Sequence, residues 1–131
     1  MAFDGPSWIK LAGVKASADL SAKQFYFVKI SGAGTVTVCA GTTDKPVGVL
    51  QNTPKSGQAA DVLVCGQTKV SADAALTAGN VIGTSVDGQA AAYAAGSDTT
   101  TYLVGQVLVG TGAAAELATA VVNCAAPARG A

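Results

Sequence analysis

The run Gln24-Phe25-Tyr26-Phe27-Val28-Lys29-Ile30 stops at Ser31-Gly32-Ala33-Gly34 and resumes as Thr35-Val36-Thr37-Val38. Short apolar or alternating stretches of this kind, each ended by Gly, Asp, Asn or Ser, recur along the chain. That is the pattern of strands rather than helices. Within the first run, Phe25, Phe27 and Lys29 share one side and Tyr26, Val28 and Ile30 the other. Both sides are largely apolar, so a central strand covered on each face is expected. With about nine such stretches in one domain-sized chain, the expected fold class is all-β. More closely, it is a small single-domain β-barrel or β-sandwich of short antiparallel strands, with one or two short helical turns.

Residues 1–7 read as an N-terminal arm broken by Gly5-Pro6, residues 8–124 as the β-rich domain, and residues 125–131 as a flexible tail. Residues 8–16 form a weak first strand. Pro46 opens another, at the position where a strand tolerates proline. Residues 61–70 form a long strand with a bulge expected near Gly66. Asp87-Gly88 between two apolar runs is a hairpin signal. The helical turns are expected at residues 19–23 and 72–79, the second capped by Gly79.

The chain has no histidine, and its only glutamate is Glu116. Acid–base catalysis wants a tuned histidine or paired carboxylates. The aspartates instead fall mostly in turns, where side-chain-to-backbone hydrogen bonds account for them. A Ser-His-Asp triad is impossible, and there is no Gly-x-Ser-x-Gly elbow or Gly-Lys-Ser/Thr phosphate loop. Cys39, Cys65 and Cys124 are far apart and odd in number, and each follows a β-type run. They read as small buried hydrophobes in a reducing compartment, since a metal site would want a fourth ligand. The expectation is a non-enzyme with no cofactor and no metal.

Charged residues make up 12% of the chain and the net charge is zero. A monomer of this size exposes about 6,000 Å², or roughly one charge per 400 Å². Surfaces this neutral tend to associate, so part of this one is expected to be covered by other protein. The lysines and the single arginine are scattered, which leaves no electrostatic footprint for nucleic acid. No stretch is long and apolar enough for a membrane helix, and the N-terminus lacks a signal-peptide pattern. Synthesis in the cytoplasm is expected. Trp8, the lone tryptophan, reads either as a plug at one end of a barrel or as an interface anchor. Phe3 on the polar arm belongs with it. Tyr93 and Tyr102 bracket a small-residue loop that is either a contact surface or a loop base.

Several segments in order carry a resemblance: Lys23-Gln24-Phe25-Tyr26-Phe27-Val28-Lys29, Thr35-Val36-Thr37-Val38-Cys39-Ala40, and Asp44-Lys45-Pro46-Val47-Gly48-Val49-Leu50-Gln51-Asn52-Thr53-Pro54. Ala59-Ala60-Asp61-Val62-Leu63-Val64-Cys65-Gly66, Ala75-Leu76-Thr77-Ala78-Gly79-Asn80 and Leu103-Val104-Gly105-Gln106-Val107-Leu108 continue it. Over roughly residues 10–123 the chain resembles the capsid decoration, or capsid cement, proteins of tailed bacteriophages. The resemblance implies a β-rich protein, often a homotrimer, on the capsid exterior of the virion. There it would clamp neighbouring subunits of the major capsid protein and stabilise the expanded head. The arm and its neighbour, Phe3, Asp4, Pro6 and Trp8, are then the expected capsid contact, with Tyr93 and Tyr102 as further loop contacts. Two other classes stay open: another phage structural component, such as a tail tube or fibre, and a surface carbohydrate-binding module.

Overall fold

A computed structural model describes residues 8–129. They form twelve strands: β1 (Ile9–Lys10), β2 (Lys15–Ala16), β3 (Phe27–Gly32), β4 (Thr35–Val38), β5 (Gly48–Leu50), β6 (Val62–Ser71), β7 (Val81–Thr84), β8 (Ala90–Ala92), β9 (Tyr102–Leu103), β10 (Gly105–Val109), β11 (Leu117–Asn123) and β12 (Ala128–Arg129). The main sheet runs β2-β4-β3-β5-β6-β11-β10-β7-β8, with β1 beside β6, while β9 and β12 make a separate ribbon. Every pairing is antiparallel except β2 with β4. The fold is all-β and sandwich-like. It is not a closed barrel, because β2 and β8 end the path without pairing to each other.

β6 is the spine. Its first residues pair with β5, Leu63 and Cys65 pair with β1, and residues 65–71 pair with β11. Gly66, Thr68 and Val70 point inward and Gln67 and Lys69 outward, the period-two pattern of a strand with one covered face. Two apolar clusters lie on opposite sides of the β3-β5-β6 region. Phe27, Val49 and Leu63 enter the first; Val28, Leu50 and Val62 enter the second. Adjacent residues of one strand thus feed different clusters, as the apolar faces of residues 24–30 predict. The cover ends early, however, since Ile30 is exposed.

The Asp87-Gly88 turn closes the structure. Gly88 has φ 83°, a conformation only glycine adopts at low cost. The Phe27 amide donates to its carbonyl at 2.8 Å, and the Cys39 amide donates to the Phe27 carbonyl at 3.0 Å. The tip of the β7–β8 hairpin is therefore tied to β3.

Two expectations need correcting. No helical turn forms among the described residues. Residues 72–79 instead find partners far along the chain: the Ala72 amide donates to Glu116, Asp73 to Ala90, and Leu76 and Thr111 bond each other. A segment this short cannot nucleate a helix against such pairing. The irregularity expected near Gly66 falls on the β1 side of β6, where Ile9 pairs with Cys65 and Lys10 with Leu63, while β6 and β11 keep register; Gly66 itself has φ 136°. Finally, the strand expected from residue 24 begins at Phe27, because Phe25 turns the chain with φ 66°. Within residues 125–131, Ala128–Arg129 forms β12 against β9.

Candidate functional site

The acidic side chains hold turns. Asp44 Oδ2 accepts from the Ala40 amide at 2.8 Å, the Gly41 amide at 3.1 Å and Lys29 Nζ at 2.9 Å. Desolvation raises its pKa, but these donors outweigh it and hold the carboxyl below its ordinary value. Glu116 Oε1 accepts the Gly112 and Ala113 amides, each at 2.8 Å. Asp61 pairs with Lys10 at 3.1 Å. Among the described residues, no group of three His, Cys, Asp or Glu is placed to hold a metal ion.

The three cysteines, distant in sequence, come together. The Cys124 amide donates to the Val64 carbonyl, next to Cys65, and Cys39 and Cys124 belong to one apolar cluster. Burial first, then the Asp44 charge, pushes the Cys39 thiol up to about 12. Burial, then the neighbouring Cys39 and Cys65 sulfurs, does the same for Cys124. Cys39 and Cys124 are thus protonated packing groups.

Of the expected contact residues, Phe3, Asp4 and Pro6 lie outside the described residues. Trp8 is not a core plug. It is 52% exposed just before β1, with Lys10 Nζ 5.0 Å from its ring centre. Tyr93 follows β8 and its amide donates to Val81; Tyr102 lies half-buried in β9 beneath Arg129. Trp8 and the two tyrosines are thus carried by different elements.

The surface that the sequence reading missed is the outward face of β7, β10 and β11. Cross-strand pairs set its rows: Val81 opposes Gln106, Gln106 opposes Val121, and Val121 opposes Gln67. Along β11, Leu117, Thr119 and Val121 point out while Ala118, Ala120 and Val122 point in. Two of the three inward residues are alanine, so the bulkier aliphatics lean outward. Leu117 is 49% exposed, Val121 51% and Leu108 51%. Leu108, Gln106 and Val121 share a shallow depression with Ala78 and Gly79. The only charge on these rows is Lys69, whose ammonium lies 5.8 Å from the Phe25 ring centre. The available signal was the run Leu117-Ala118-Thr119-Ala120-Val121, where size alternates although polarity hardly does.

No protein-family model and no curated protein matches the sequence. A solved structure described as the head fiber gp8.5 N base in bacteriophage phi29 is similar, with a TM-score of 0.63 and 16% identity. The match covers 89% of this chain and 95% of that one. At this identity the likeness establishes a shared fold.

Proposed function

We propose that this chain is a structural protein of a phage virion, bound to the outside of the head and without enzymatic activity. The observation that carries the reading is the shared fold with a protein named as the base of a head fibre. The sequence segments that resemble decoration proteins imply the same place. The neutral, charge-poor surface fits a protein that works by being covered.

The mechanism is linkage. A protein that binds only the assembled shell stabilises it by about 2.7 kcal/mol when present at 100 times its Kd. Clamping adjacent copies of the major capsid protein would deliver that energy where the shell separates. A homotrimer would add avidity, because three linked contacts bind as one. The arm, with Phe3, Asp4, Pro6 and Trp8, is the proposed shell contact, adding an extended segment to a capsid strand. Deleting residues 1–7 should weaken co-sedimentation with emptied heads of the parent phage at least tenfold. Undiminished pelleting would remove the arm from the contact.

The same fold match favours a second reading, a base that seats a fibre on the head rather than a clamp. Heating heads with and without the protein separates the two: a clamp raises the temperature of shell disruption, and a base leaves it where it was.

A further inference from the structure

We propose that the outward face of β7, β10 and β11, centred on Val121, is the contact between copies of this chain. The inference rests on the functional reading for the premise that copies work together, and on the geometry for where they meet. Three observations carry it.

The first is the inverted size pattern of β11. A strand with one free face normally turns its larger apolar residues inward, and this one presents Leu117 and Val121 outward over Ala118 and Ala120. Val81 of β7 and Leu108 and Val109 of β10 add to the same surface.

The second is extent. These five aliphatic side chains expose on the order of 400 Å² together, at the threshold where an apolar patch marks an interaction site. With the neutral groups between them the face approaches the roughly 800 Å² that each partner contributes to a stable interface.

The third is charge, which selects the occupant. Gln67, Gln106 and Thr119 stand among the aliphatics, and amides and hydroxyls both donate and accept, so such a face can satisfy a copy of itself. Lys69, over the Phe25 ring, is the one charge on these rows and the chain has zero net charge, so little like-charge repulsion opposes pairing of copies. A partner with a strongly charged docking surface would find only Lys69 to pair with here.

Light scattering on the full-length protein as it elutes from a sizing column tests this. The wild type should show a multiple of 12.7 kDa. Val121→Lys should raise the dissociation constant by about 30-fold or more, the effect of burying an unpaired charge at the centre of an interface. Circular dichroism confirms that the variant is folded; should it not fold, Leu108→Lys in the same depression gives the same reading. Ile30→Lys, on the β3 side of the sheet, should leave the mass unchanged. A folded Val121→Lys protein with wild-type mass, or a wild type that is monomeric at about 100 μM, overturns the proposal. Wild-type protein that is monomeric yet pellets with heads refutes this inference and leaves head binding standing. An oligomer disrupted by Val121→Lys that never pellets with heads does the reverse.

Discussion

Asp44 shows how a residue that looks free for chemistry is committed to structure. Its carboxylate gathers two amides and Lys29, and its pKa lies below the ordinary value of 3.8. A carboxyl depressed in the folded state adds stability that is complete above the unfolded value and disappears as pH falls through the folded one. The unfolding midpoint should therefore drop as pH falls through and below the ordinary carboxylate value, and Asp44→Asn should make the drop shallower. That variant should also lose about 1 kcal/mol at neutral pH, because an uncharged amide oxygen accepts the Ala40 and Gly41 amides less strongly and no longer pairs with the charge of Lys29. A pH profile identical to wild type would contradict this role. The cysteines make a parallel case. With Cys39 and Cys124 buried and held protonated, a thiol reagent at neutral pH should find Cys65 alone in the folded protein and all three after denaturation. Fast labelling of all three in the folded state would contradict the packing described here.

At the scale of elements, the β7–β8 hairpin is both the most legible feature and the one on which closure depends. Asp87-Gly88 announced a turn, but the sequence had no means of showing that its tip would seat on β3. A Cβ on Gly88 would stand 2.9 Å from the Cys39 carbonyl oxygen, at a φ that disfavours any side chain. Gly88→Ala should cost about 2–3 kcal/mol and strip hydrogen-exchange protection from the Phe27 amide. An unchanged melt would show that the tip is not clamped. Residues 27–38 were readable because hairpin partners are neighbours in sequence and the period of two is strong there. Residues 72–79 were not, because their partners at Ala90, Thr111 and Glu116 lie far along the chain and a run of alanines favours a helix locally. β12 escaped notice because two residues cannot carry a period. The outward face of β11 was hidden for another reason: alternation between leucine, valine and alanine changes size but barely changes hydropathy. Polarity patterns therefore could not say which side faced the core.

Across the whole molecule, low charge and the outward aliphatics of β7, β10 and β11 fit the proposed unit completed by its neighbours. In the proposed role, contacts with copies and with a shell would add to the stability that its own core supplies. The direct test is to mix pure protein with expanded and with unexpanded heads of the parent phage and to assay the pellets. Saturable pelleting with expanded heads, and none with unexpanded ones, is the predicted result. Protein that stays in the supernatant with both, at concentrations well above micromolar, would contradict a role on the head.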